Sequence, residues 1–209
     1  FETNTGKVLM TSFSGSHLLR FQIEQGAPAD IFVSANPAQL EKLTAQGMIA
    51  RKEVIAYNEL VLIVPHDNPA QINVFKDLVR AKRVVIGTEA SPIGLYTRRT
   101  LAASNDLYGA DFSKDVYRRV VSHEGNVRLV RAKVVLGQAD AAIVYRSDAM
   151  NNPELRVIEI PQEVNVRAEY VGAVIKDSVH KEVANGWLDY ILSEAGQALL
   201  RTHGFVTPA

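Results

Sequence analysis

Three short turns in the 209-residue chain combine small or polar residues with the predicted start of a helix. They are Ser14-Gly15-Ser16, Ser91-Pro92-Ile93-Gly94 and Glu124-Gly125-Asn126-Val127. A helix start presents unpaired backbone N–H groups and a partial positive charge, which together suit an anion. At the second turn Pro92 has no N–H, so Ile93 and Gly94 offer the first donors. Each turn alone is also what ordinary helix capping requires, so the three indicate an anion site only if they converge.

Residue patterns for catalysis or metal binding are absent from the sequence. No two histidines lie three to five residues apart, which excludes zinc-type ligand spacing, and there is no cysteine. There is no Gly-x-Ser-x-Gly nucleophile motif, phosphate-binding loop or Gly-x-Gly-x-x-Gly dinucleotide motif. The sequence therefore predicts neither an enzyme nor a resident metal or cofactor. The histidines are His17, His66, His123, His180 and His203.

Composition and charge narrow the class of protein further. Lys+Arg and Asp+Glu both number 23, so the formal net charge is zero, and apolar residues make up 47% of the chain. This is the balance of a globular protein, without the basic excess of a typical nucleic-acid binder. No apolar run approaches the roughly 18 residues that span a bilayer. For the arginines in the middle of the chain we favour a solvated face over a docking or anion-steering surface. These arginines are Arg98, Arg99, Arg118, Arg119, Arg128 and Arg131.

The predicted strands and helices alternate as they do in an α/β fold. Strands are predicted at 7–13, 30–35, 59–65, 83–87, 116–121, 141–145, 155–160 and 170–175. Helices are predicted at 17–25, 37–45, 75–81, 94–104, 127–136, 181–193 and 194–203, with residues 1–6 as the end of another. No Gly/Ser-rich linker divides the chain, so two lobes would be joined through strands. The best candidates for these crossings are Glu59–Pro65 and Tyr170–Ile175.

One long run of the sequence carries a family resemblance. Residues 14–35 read SGSHLLRFQIEQGAPADIFVSA: a Ser-rich turn, a short helix ending in a QIExGAPAD pattern, and a strand. This run resembles the periplasmic molybdate-binding proteins of ABC importers. Asn36 stands where that family usually has Asp, and either residue can cap the next helix. Further matches follow in the same order along the whole chain, at Leu60–Pro65, Pro92–Tyr96, Asn126–Arg128, Gly137–Asp140, Ile143–Ala149 and Gly204-Phe205.

The resemblance implies an α/β, two-lobed fold of the type II periplasmic-binding-protein class. Each lobe would be a mixed, mostly parallel sheet flanked by helices, with the ligand in the cleft between the lobes. Residues 1–62 plus 168–209 would form the first lobe, and residues 63–167 the second. The implied role is capture of a small tetrahedral oxyanion, molybdate or tungstate, in the periplasm or another extracytoplasmic space. The protein would be a monomer that docks transiently on an ABC permease and binds no nucleic acid.

The resemblance also assigns the groups that bind the ligand. Matched residue by residue, they are the Ser16 hydroxyl and amide, the amides of Ile93 and Val127, and the Tyr145 hydroxyl. Without the resemblance, Tyr145 would be interpreted as a core aromatic with a satisfied hydroxyl, and Ser16 as a plain helix N-cap. Discrimination from sulfate is expected to rest on cavity size, because the same donors suit any tetrahedral oxyanion.

The chain departs from the family pattern at its start. Family members begin with a strand, a turn that supplies another ligand hydroxyl, and a long helix, and Phe1–Gly6 matches only the end of that helix. About 20 family residues are therefore expected to lack a counterpart. The alternatives are a segment outside this sequence, a truncated chain whose incomplete site binds weakly or not at all, or a partner chain that fills the gap by swapping or dimerisation. A ligand-sensing regulatory module of the same fold is the other functional alternative.

Overall fold

The chain divides into two compact units. A computed structural model describes residues 1–89 and 91–208, without the side chains of residues 3 and 4. Unit 1 comprises Phe1–Tyr57 and Ala168–Ala209, and unit 2 comprises Asn58–Arg167. The sequence analysis places the lobe boundaries after residues 62 and 167. The boundaries between the units follow residues 57 and 167, so the first lies five residues earlier and the second coincides.

Helices and strands alternate along most of the chain. In order they are α1 (Glu2–Thr5), α2 (Ser16–Glu24), β1 (Ile31–Ser34), α3 (Pro37–Ala45), β2 (Ile49–Pro65), a 3₁₀ helix (Phe75–Arg80), β3 (Val84–Gly87), α4 (Pro92–Tyr108), α5 (Phe112–Tyr117), β4 (Val120–Glu124), α6 (Val127–Val135), β5 (Ala141–Tyr145), α7 (Arg146–Ala149), β6 (Leu155–Glu159), β7 (Arg167–Ile175), α8 (Lys181–Leu192) and α9 (Glu194–Thr202). Within residues 1–89 and 91–208, no helix combines the length and apolar character that a membrane span requires.

Unit 1 is built on an antiparallel strand pair. β1 lies against β7, with Ile31 opposite Val174. Its apolar residues pack with those of α2 and α3 in one cluster that includes Phe32, Leu40 and Leu43. α3 begins at Pro37 behind an Asn36 cap, as the Asn-Pro pair in the sequence predicts.

Unit 2 contains a mixed sheet. The portion of β2 in this unit pairs antiparallel with both β5 and β6. β3 lies between β5 and β4 and is parallel to both of them. Every residue of β3 and β5 is buried, as expected for parallel strands covered on both faces. Because β3, β4 and β5 are parallel neighbours, their carboxyl ends (Gly87, Glu124 and Tyr145) lie at the same edge of the sheet.

The predicted strand at residues 7–13 is wrong. No helix or strand forms there, and Val8, Met10 and Phe13 are 85%, 97% and 88% exposed. The N–H groups of Lys7 and Leu9 donate to side chains of the preceding helix rather than to another strand. β-Branched and apolar residues favour an extended chain, but a strand also needs a hydrogen-bonding neighbour.

The predicted strand at residues 116–121 is also wrong in its first half. α5 occupies Phe112–Tyr117, and β4 begins only at Val120. Phe112 and Val116 are four residues apart and both buried, which is the spacing of one helix face. By contrast, the predicted helix end at residues 1–6 is confirmed, since α1 ends at Thr5 and is followed by Gly6 with a left-handed φ of 65°.

Candidate anion-binding site

The turn after β3 contains a backbone N–H group, that of Ile93, that the Ser91 cap does not accept. Ser91 Oγ donates to the Thr88 carbonyl at 2.8 Å and accepts from the Gly94 N–H at 3.1 Å. Pro92, the first residue of α4, has no N–H. Within residues 1–89 and 91–208, the Ile93 N–H has no recorded acceptor. The Ser91 cap therefore uses the Gly94 donor and leaves that of Ile93 without an acceptor among the described residues, a difference that the sequence did not show.

Two glycines let this turn lie close to the end of β3. A Cβ added at Gly94 would lie 1.9 Å from the Thr88 carbonyl oxygen and 2.5 Å from that of Gly87. A Cβ at Gly87 would lie 2.6 Å from the Gly94 nitrogen and from Ser91 Oγ. Real Cβ atoms do not approach so closely, so this packing requires glycine at both positions. The same packing fixes where the Ile93 N–H lies.

The turn after β4 repeats the arrangement. Asn126 Oδ1 accepts from the Leu129 N–H at 3.0 Å, and the Asn126 carbonyl accepts from the Val130 N–H at 3.2 Å. No acceptor is recorded within the described part of the chain for the N–H groups of Val127 and Arg128 at the start of α6. An Asn cap that bonds the third helical N–H thus leaves the first two for a ligand.

The two turns and Tyr145 meet at one edge of the unit 2 sheet. The Thr88 N–H donates to the Glu124 carbonyl at 2.9 Å, which joins the turn after β3 to the end of β4. Tyr145 ends β5, the neighbour of β3 on its other side, and is 7% exposed. In open parallel sheets, ligands bind outside the carboxyl ends of the strands. The structure thus brings the predicted residues Ile93, Val127 and Tyr145 to a common edge.

Ser16 lies in unit 1, where it is the first residue of α2. Its Oγ accepts from the Ala35 N–H at 3.2 Å, next to the end of β1. The N-cap is Gly15, so the alternative interpretation of Ser16 as a plain N-cap is wrong. A hydroxyl has one proton and two lone pairs, so Ser16 can still donate while it accepts from Ala35.

Comparison with known proteins places the chain in a family. A model of the bacterial extracellular solute-binding protein family matches residues 1–206. The chain belongs to this family. The family resemblance seen in the sequence is therefore confirmed.

Relatives and solved structures agree with this assignment. The molybdate-binding protein ModA of Mycobacterium tuberculosis is 32% identical over 208 residues, which are 98% of this chain and 76% of that protein. A structure described as the substrate-binding domain of a molybdenum ABC transporter from Clostridium difficile has a TM-score of 0.84 and 30% identity, covering 100% of this chain and 90% of that one. The periplasmic molybdate-binding protein of Azotobacter vinelandii has a TM-score of 0.80 and 21% identity, covering 100% and 91%. The predicted type II α/β fold is confirmed by these neighbours.

Two of the clustered arginines of this family member are engaged with main-chain oxygens. Arg98 Nη1 donates to the carbonyls of Gly87 and Gly94 at 3.0 and 2.9 Å. Arg131 Nη1 donates to the Asp148 carbonyl at 3.0 Å. Burial raises the pKa of the Asp148 carboxyl, and the positive charge of Arg131 partly opposes the rise. Arg98 therefore links the end of β3 to the first turn of α4. Arg131 contacts α7, the short helix that follows β5.

Carboxylates and histidines do not gather into a metal site in this family member. Among residues 1–89 and 91–208, no group of three or more His, Cys, Asp or Glu side chains could hold a metal ion. The predicted groups that share the sheet edge are backbone N–H groups, which donate hydrogen bonds, and a tyrosine hydroxyl, which can donate one.

Two features of the site were missed at the level of sequence. The close contact between Gly87 and Gly94 joins residues of a predicted strand and a predicted turn, and only the folded chain shows it. Tyr96 stood in the family-like run but had no assigned role. Its spacing of three residues from Ile93 was the available signal, because such residues share a helix face.

Proposed function

We propose that this solute-binding protein captures a tetrahedral oxyanion, molybdate or tungstate, and delivers it to a membrane permease without transforming it. The observation that carries the proposal is the set of backbone donors that capping does not use at two helix starts. The caps use the N–H groups of Gly94 and Leu129. Among the described residues, the N–H groups of Ile93, Val127 and Arg128 have no acceptor, and those of Ile93 and Val127 are the proposed ligand donors. Both lie at the sheet edge where Tyr145 ends β5. The Ser16 hydroxyl and amide of unit 1 are proposed as further donors.

The electrostatics of these groups suit a dianion. α4 and α6 are 17 and 9 residues long, and their amino ends carry the partial positive charge of the helix dipole. N–H and O–H groups that donate to an ionised oxygen form shorter and stronger hydrogen bonds than those between neutral partners. A chain with no net charge can therefore bind an anion without a dedicated cationic side chain.

The choice of molybdate or tungstate rests on the relatives. The M. tuberculosis relative is a molybdate-binding protein and aligns with 98% of this chain. Sulfate and phosphate are smaller tetrahedral ions with the same acceptor geometry, so the proposed discrimination depends on cavity size. We further propose that the protein acts as a monomer in the periplasm or another extracytoplasmic space, and that its partner is an ABC permease.

Isothermal titration with molybdate, tungstate, sulfate and phosphate tests the proposal. Molybdate and tungstate should each release or absorb heat that saturates at one ion per chain, and the two smaller ions should bind more weakly. Absence of saturable heat with both molybdate and tungstate would refute the proposed function. Equal affinity for sulfate would refute the size discrimination and leave the anion site intact.

A further inference from the structure

The rings of Tyr96 and Tyr145 form a buried pair. Their centroids are 6.3 Å apart and their planes meet at 75°, an edge-to-face arrangement. Tyr96 is 9% exposed and Tyr145 7% exposed. Edge-to-face aromatic pairs have a defined geometry, and each is worth roughly 0.5–1.5 kcal/mol beyond simple burial. The ring of Tyr96 therefore restricts where the side chain of Tyr145 can lie.

The same helix carries both Tyr96 and the leftover donor. Ile93 and Tyr96 are three residues apart in the first turns of α4, so they lie on one face of that helix. Ile93 is 2% exposed, which shows that this face is packed against the rest of unit 2. A single rigid element thus links the Ile93 N–H to the ring that contacts Tyr145.

The guanidinium group of Arg99 lies near the ring of Tyr96 on the same helix. The guanidinium carbon of Arg99 lies 6.0 Å from the centroid of the Tyr96 ring, within the range of a cation–π contact. Arg99 follows Tyr96 by three residues, so the contact is made within the helix. Tyr96 is therefore bounded by Arg99 on its own helix and by Tyr145 on the neighbouring strand.

We propose that Tyr96 is a positioning residue for anion binding. Its ring sets the Tyr145 hydroxyl at a constant distance from the Ile93 N–H, so that both reach the same ion. The inference rests on the proposed function, because it assigns Tyr96 no contact with the ligand and acts only through Tyr145.

A double-mutant cycle tests this inference, with molybdate affinity measured by isothermal titration. Y145F should weaken binding about 10- to 100-fold, the value of a hydrogen bond to a charged group. Y96L should weaken it about 3- to 10-fold by releasing the Tyr145 ring. The double variant should bind no more weakly than Y145F, because Tyr96 has nothing left to position. Multiplied losses in the double variant, or unchanged affinity in Y96L, would overturn the inference.

Three further variants separate positioning from general stability. Y96F keeps the ring and should therefore lose less affinity than Y96L, and a loss as large as that of Y96L would contradict the proposal. F205L removes a ring from the edge-to-face pair of Tyr170 and Phe205 in unit 1, whose centroids are 5.3 Å apart. It should lower the melting temperature without changing molybdate affinity. R99Q covers the case in which Y96L does not fold: it should weaken binding about 2- to 5-fold in the wild type and not at all beside Y145F.

The outcomes also separate this inference from the proposed function. If the wild-type chain binds no molybdate or tungstate, both fall together. If the wild type binds and the cycle is multiplicative, the binding function stands and the role of Tyr96 is refuted.

Discussion

Ile93 and Val127 would bind an anion through the backbone, Tyr145 through its side chain, and Ser16 through both its hydroxyl and its amide. The distinction matters because a backbone N–H survives almost any substitution of its own residue. Its availability depends instead on neighbours, namely the caps that take the adjacent donors and the glycines that allow close packing. A variant that tests the site must therefore remove a hydroxyl or change a neighbouring residue that positions a backbone N–H.

Ser16 offers the simplest test of a hydroxyl donor in unit 1. S16A should weaken molybdate binding about tenfold or more, because it removes one hydrogen bond to a charged ion. It should also cost a little stability, since the Ala35 N–H loses its acceptor. Thr202→Ala in α9, which removes an exposed hydroxyl, is the control and should leave the affinity unchanged. An S16A variant with wild-type affinity would exclude this hydroxyl from the site.

Gly94 tests the support of the Ile93 amide. Its substitution by alanine would drive a methyl group into the Thr88 carbonyl, so the turn after β3 must shift. Overpacking of this kind costs about 1–3 kcal/mol, and the shift should also reduce molybdate affinity. Gly186 in α8 is the matched control, because a Cβ there has no neighbour within 4 Å. Gly94→Ala with normal melting temperature and affinity would show that the turn need not be tight.

At the scale of elements, the site depends on three parallel strands that end together. The opposite ends of two of them, β3 and β5, are joined by Asp140, which lies just before β5. Its Oδ2 accepts from the N–H groups of Lys82 and Arg83, both at 2.9 Å, just before β3. The side chain of Arg83 reaches Oδ1 at 2.7 Å. This carboxylate therefore sets the stagger of β3 against β5, and with it the positions of Gly87 and Tyr145.

The ionisation of Asp140 makes this arrangement sensitive to acid. Burial opposes ionisation, but the hydrogen bonds from Arg83 and from two backbone N–H groups outweigh it and lower the pKa below the ordinary 3.8. A lowered folded pKa means that the carboxylate stabilises the fold above the ordinary value. This contribution is lost as the pH falls through the folded pKa.

Urea unfolding of the wild type and Asp140→Asn measures that contribution. At about pH 7 the variant should be less stable by about 1–3 kcal/mol, because the charged acceptor is lost. The difference should shrink as the pH falls below 3.8 and through the lowered folded pKa, because the wild-type carboxyl then becomes protonated as well. A difference that does not depend on pH would show that the charge of Asp140 is unimportant.

At the scale of the whole molecule, local patterns predicted much of the fold and less of the site. Strand and helix alternation predicted the α/β class, and Pro92 predicted that the donors begin at Ile93. The order of β5, β3 and β4 was not predictable from local patterns, because it depends on pairing between strands distant in the chain. The same limit explains the error at 7–13, where composition favours a strand but cannot supply its neighbour. The family resemblance, rather than spacing, selected Tyr145.

Diffraction from crystals grown with tungstate would locate the bound ion, because tungsten has a strong anomalous signal. We expect one tungsten peak, with ligand oxygens about 3 Å from the Ile93 and Val127 nitrogens and from the Tyr145 hydroxyl. A peak coordinated instead by exposed arginines, or no peak in crystals of a chain that binds tungstate in solution, would contradict this expectation.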